Sequence, residues 1–79
     1  MHEPSVDYAV KSIRHWLVMN PRAVDTVQGI HGYWIDWAEP LPPVTVTQQA
    51  LQQLQVLGEV ECVLVNQREL WRKGKSASL

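Results

Sequence analysis

The sequence predicts a small α+β domain in which three helices are followed by a C-terminal two-stranded β-hairpin. Three observations carry that prediction. Apolar residues recur at helical spacing in three separate stretches, each introduced by a side chain able to cap a helix. Pro40, Pro42 and Pro43 interrupt the chain between the second and third stretches. After Gly58 the helical period gives way to the β-branched run EVECVLV, residues 59–65.

The first helix is expected over residues 5–19. Val6, Val10, Ile13 and Leu17 are spaced four, three and four apart, so they form one apolar stripe, with Ala9 and Trp16 beside it. Ser5 is the expected N-cap, and Asp7 places a negative charge in the first turn, where the helix dipole favours it. Asn20-Pro21 stops the helix, because the residue before a proline is pushed out of the α region.

A second helix is expected from Asp25, which with Gln28 has the spacing of a capping box. Val27, Ile30 and Trp34 define its apolar face, and Trp37 extends it. Gly29 and Gly32 weaken it by about 1 kcal/mol each relative to alanine, so a 3₁₀ ending near Gly32 is one outcome. Residues 36–44 then form an extended connector, with a short strand at Pro43-Val44.

Thr45 with Gln48 is the next capping box, opening a third helix over residues 46–57. Val46, Ala50, Leu54 and Leu57 supply its apolar side. Gln48, Gln49, Gln52 and Gln55 form a neutral polar side, and Gly58 ends it as the C′ residue. Residues 59–65 and 70–73 are the two strands of the hairpin, joined by a polar turn over residues 66–69. Residues 74–79 are expected to be a flexible tail, leaving a single domain over residues 1–79 with its core in residues 5–73.

Composition narrows the function classes. A chain of 79 residues has room for one small domain and little for an enzyme with its own pocket. A net charge of -1 excludes a generally basic nucleic-acid coat. No apolar run approaches the roughly 18 residues needed to cross a bilayer. The N-terminal acids and proline do not fit a signal peptide. Cys62, the single cysteine, has no partner for an internal disulfide, which suits a cytoplasmic protein.

The order helix, helix, extended connector, helix and hairpin resembles the winged helix-turn-helix family. The stretch TVTQQALQQLQVLGEVECVLVNQRELWRK, residues 45–73, carries the resemblance most clearly. The resemblance implies a DNA-binding or transcription-associated protein, with helix 46–57 in the major groove and hairpin 59–73 as the wing. Carried onto this chain, the readers are Thr47, Gln48, Gln49 and Gln52, since glutamine can pair with adenine in bidentate fashion. Arg68, Arg72 and Lys73 become the phosphate contacts, with Lys75 behind them.

The charge map opposes a simple version of that expectation. From Ala23 to Gln67 there is no lysine or arginine, while Asp25, Asp36, Glu39, Glu59 and Glu61 are all acidic. Phosphate neutralisation supplies most non-specific DNA affinity. The alternative expectation is a protein-interaction or dimerisation module without intrinsic DNA binding, its partner another protein or a second copy. Tyr33, Trp34 and Trp37 are its candidate anchors, because aromatic rings are enriched at interfaces. The same aromatic residues also fit a core filled by Trp34 and Trp71, with the others half-buried.

Other chemistry finds little support. His2, His15 and His31 lack metal-ligand spacing, and no metal or cofactor is expected. Glu59 and Glu61 share a strand face without a nucleophile, and Gly29 and Gly32 do not form a phosphate loop. Cys62 alternates with Val60 and Leu64, and so reads as a small packed hydrophobe. No catalytic residue is expected.

Overall fold

The computed structural model describes residues 6–38 and 40–75. Ser5, the expected first cap, lies outside the described residues, as do residues 76–79 of the expected tail. Helix α1, Val6–Met19, buries Ala9, Val10, Ile13 and Leu17, with Val6 and Trp16 packed at the margins. Asn20 closes it: its backbone N–H and its side-chain amide both donate to the Trp16 carbonyl, at 2.7 and 3.1 Å.

The next element was not expected. Strand β1, Val24–Asp25, pairs antiparallel with the last strand, Val24 opposite Arg72 and Asp25 opposite Trp71. The sheet therefore has three strands where the sequence predicts two. A two-residue strand is too short to show a period of two, which is why only tertiary pairing reveals it.

The cap of the second helix moves by one residue. Thr26, not Asp25, is the N-cap, its hydroxyl accepting the Gly29 N–H at 3.2 Å. Asp25 instead accepts the Thr26 N–H at 2.7 Å. A Cβ on Gly29 would sit 2.1 Å from the Asp25 carboxylate, so any larger residue there would have to turn that side chain aside. Helix α2 is one α-helical turn, Val27–Gly29, that runs on through Gly32 as a π-helical turn, Ile30–Trp34, and not as the 3₁₀ ending that was one alternative there. Ile30, His31 and Trp34 point inward, and Tyr33 is left outside.

Helix α3, Val44–Val56, begins two residues before the expected start. Pro43 stands at its N-cap with no side-chain bond, so neither the Thr45 cap nor a strand at Pro43-Val44 forms. Its buried residues are Thr47, Ala50, Leu51 and Leu54, a stripe rotated from the expected one. Leu57 falls beyond the last turn and is 60% exposed, while Leu51 is fully buried. At the C-terminus the Gly58 N–H bonds the Gln55 carbonyl and the Glu59 N–H bonds the Leu54 carbonyl, at 2.9 and 2.8 Å. Gly58 takes φ 78, the left-handed conformation of this two-bond cap.

Strands β2, Val60–Val65, and β3, Arg68–Lys73, form the expected hairpin, with a shorter turn. Asn66 and Gln67 both have positive φ, 51 and 66, so the turn is the two-residue type whose twist suits antiparallel strands. The ladder runs from Val65↔Arg68 to Val60↔Lys73, giving the sheet order β1-β3-β2. Gly74 belongs to this framework and not to a tail: it is buried, and its N–H donates to the Glu59 carbonyl at 2.8 Å.

The three helices and the inner face of the sheet close on one core. Ile13, Ile30, Leu51 and Leu54 are fully buried within it, each contributing about 1.5–3 kcal/mol through burial. Trp16 and Trp34 stack beside it, ring centres 5.7 Å apart and planes 13° from parallel. No helix among the described residues is long and apolar enough to cross a membrane.

Candidate functional site

The pleat of the hairpin decides which expected site residues meet. Trp71, Cys62 and Glu69 face α3, where they line a groove with Val27, Gln48, Leu51, Gln52 and Gln55. The groove has a volume of about 400 Å³. Alternation along β3 then places Arg68, Leu70 and Arg72 on the opposite face. The structure thus brings Gln48 and Gln52 together with the Glu69 carboxylate and separates them from Arg68 and Arg72. Lys73 shares the parity of Trp71 but lies opposite Val60, at the far end of the hairpin from the turn.

Thr47 leaves the reader set. It is fully buried, and its hydroxyl lies 2.6 Å from Nδ1 of His31. His31 Nε2 lies 2.8 Å from the Pro42 carbonyl. That carbonyl can only accept, so Nε2 carries a hydrogen and donates to it, while Nδ1 shares the second bond with the Thr47 hydroxyl. The imidazole therefore ties α2, the proline connector and α3 together. A lone histidine carried no signal of this in the sequence. Gln48, Gln49 and Gln52 are exposed as expected, on a helix that contains no charged residue.

The basic side chains are partly committed elsewhere. Arg72 Nε donates to Glu61 Oε2 at 2.6 Å across the hairpin. Arg14 grips Glu59 through two bonds, Nε to Oε1 at 2.6 Å and an outer nitrogen to Oε2 at 2.8 Å. The guanidinium bond holds the Glu59 carboxyl below its ordinary range, against a smaller opposing effect of burial. Lys11 lies 3.5 Å from Asp7 on α1. Arg68 and Lys73 form no ion pair among the described residues.

The aromatic anchors separate too. Trp34 is 7% exposed and belongs to the core, so it is withdrawn as an interface residue. Trp37 is half-buried, packed against Tyr8 and His31 with ring centres 5.6 and 5.4 Å apart, and its indole N–H donates to the His31 carbonyl at 2.8 Å. The Tyr8 hydroxyl donates to the Asp36 carbonyl beside it. Tyr33 alone of the three stands clear of the core, 80% exposed.

A surface not anticipated from the sequence lies on the hairpin itself. Val63 and Leu70 face one another across the outer side of the sheet, half-buried, with Val65 and Val24 exposed beside them. Leu64 is 70% exposed near the turn. The alternation of Val63 and Val65 with Leu70 opposite was the available signal. It was hidden because Glu59 and Glu61 fall on the same face, which makes that side of the strand read as charged and solvated.

Among the described residues no group of three or more His, Cys, Asp or Glu side chains could hold a metal ion. Glu59 and Glu61 are each held by an arginine, on α1 and β3 respectively. Burial, and then the Glu69 charge, push the Cys62 thiol above its ordinary range, which suits packing and disfavours a nucleophilic thiolate. No family model, curated protein or solved structure matches the chain.

Proposed function

We propose that the chain is a winged helix-turn-helix domain whose hairpin serves protein association, not DNA reading. The element order α1, β1, α2, α3, β2, β3 and the sheet order β1-β3-β2 support the fold assignment. The observation that carries the function is the outer apolar face of the hairpin, Val63 and Leu70 half-buried with Val65 and Val24 exposed beside them. Contiguous exposed apolar surface on a small domain marks an interaction site.

Electrostatics supports the same choice. A DNA reader needs cations beside its recognition helix. Here the neighbour of Gln48 and Gln52 is Glu69, and Arg72 is neutralised by Glu61. The second reading, sequence recognition by α3, keeps one observation in its favour: Gln48, Gln49 and Gln52 form an exposed, uncharged row. In that reading Arg68 and Lys73 hold phosphates.

Anisotropy of a labelled mixed-sequence duplex, titrated first at low salt and then at physiological salt, separates the two. The association module gives no salt-sensitive binding in the micromolar range. Micromolar binding that weakens with salt, and weakens further on replacing Arg68 and Lys73 by alanine, would establish the DNA reader instead.

A further inference from the structure

We propose that the groove between α3 and the hairpin receives an arginine side chain of a partner protein, its guanidinium held by Glu69 beside the Trp71 indole. The inference goes beyond the association reading above, because it concerns the opposite face of the hairpin and names what that face recognises.

The lining divides into an apolar floor and a polar rim. Leu51 is fully buried, and Val27, Cys62 and Trp71 are half-buried. Gln48, Gln52 and Gln55 are exposed on α3, four and three residues apart, so they form one row beside that floor. Glu69 closes the rim from β3. The volume of about 400 Å³ is within the range of pockets that hold a small ligand.

Charge in the groove has one sign. Glu69 is the only charged residue that lines it, and among the described residues it forms no ion pair. Its field reaches the floor, where, after burial, it is the second influence raising the Cys62 thiol. Asp25 stands opposite Trp71 on β1 and adds a further negative charge nearby. The neighbouring cations do not offset these carboxylates. Arg68 precedes Glu69 in the chain but lies on the outer face. Lys73 shares the inner face, four residues and about 13 Å along β3 from Glu69. An occupant must therefore bring the cation itself.

Guanidinium is the cation that uses every part of this lining. Its flat face is attracted to an indole, the aromatic ring that binds cations best. Its forked N–H groups can hold a carboxylate through two parallel bonds and still donate to glutamine carbonyls. Its carbon stem covers apolar floor. An ammonium is a point charge with neither plane nor fork. Leu64 argues for a protein segment over a free small cation. It stands directly across from Glu69 on the same face, 70% exposed, and offers apolar surface to the residues beside the arginine. A phosphate in the groove would instead be repelled by Glu69.

The test is an NMR titration of the full chain with a capped nonapeptide carrying one central arginine between leucines. The same peptide with lysine, or with citrulline as the uncharged isostere, is run beside it. The arginine peptide is expected to shift the Trp71 indole N–H and the side-chain amides of Gln48, Gln52 and Gln55. It should bind more tightly than the lysine peptide, and at least about tenfold more tightly than the citrulline peptide. Glu69→Gln, an exchange at an exposed position, should weaken binding at least about tenfold. Gln52→Lys is the second variant and should abolish binding by placing a cation in the groove. Equal binding of the lysine or citrulline peptide, or binding that neither substitution changes, overturns the proposal. So do shifts that are absent, or confined to Val63, Val65 and Leu70, and that result leaves association through the outer face intact.

Discussion

Glu61 and Arg72 stand opposite one another across the hairpin, with Arg72 Nε 2.6 Å from Glu61 Oε2, and that contact turns an expected phosphate ligand into an internal counter-ion. Both side chains are partly exposed, so the pair adds little to stability. Arg72→Ala should lower the unfolding free energy in urea by less than about 1 kcal/mol. A loss several times larger would mean that Arg72 organises the sheet and is more than a neutralising partner.

A second arginine gives a pH signature. Arg14 holds the folded-state pKa of Glu59 below its unfolded value. The stabilisation is therefore present above about pH 4.5 and is lost as pH falls through the folded-state value. Arg14→Gln should lower the urea midpoint at neutral pH and make its decline on acidification shallower. Parallel curves for the two proteins would assign the acid sensitivity to other carboxylates.

The hairpin turn can be improved. Gln67 sits at φ 66, where a side chain costs about 1 kcal/mol that glycine avoids. Gln67→Gly creates Asn-Gly, the favoured pair for this turn, and should raise stability by up to about 1 kcal/mol. Destabilisation in thermal unfolding would show that the Gln67 side chain makes a compensating contact.

The buried imidazole should matter more than either surface ion pair. His31→Ala removes the partner of Thr47 and of the Pro42 carbonyl and opens a cavity, at a cost of about 2–4 kcal/mol. Thr47→Val keeps the volume and leaves one ring nitrogen without its partner, for about 1–3 kcal/mol. Urea unfolding of both variants and the double variant tests this, because the two losses should be less than additive. Full additivity would place the two side chains in separate roles.

The elements legible in the sequence are those with a strong local period or cap. The α1 stripe from Val10 to Leu17, the Gly58 cap and the hairpin all rest on such local signals. What stayed hidden depends on contacts between distant segments. Strand β1 exists only because Arg72 and Trp71 lie beside it. The phase of α3 was open to a local reading, since Thr47, Ala50, Leu51 and Leu54 have helical spacing, and it was missed because Thr47 was read as an exposed polar residue. Among the candidate site residues, Gln48, Gln49 and Gln52 were exposed as read, but Thr47 was lost to His31. The separation of Arg68 and Arg72 from the glutamines follows from the pleat, since both share the parity of Leu70 and not that of Trp71. A turn two residues shorter than expected extends β3 back to Arg68 and leaves that parity unchanged.

The most direct measurement compares two positions for a photo-activated cross-linking residue, Val63 on the hairpin and Gln49 on α3, in cells producing the full chain. The account predicts protein adducts from position 63 and none to nucleic acid from position 49. Nucleic-acid adducts from position 49, with position 63 silent, would contradict it and return α3 to the role of reader.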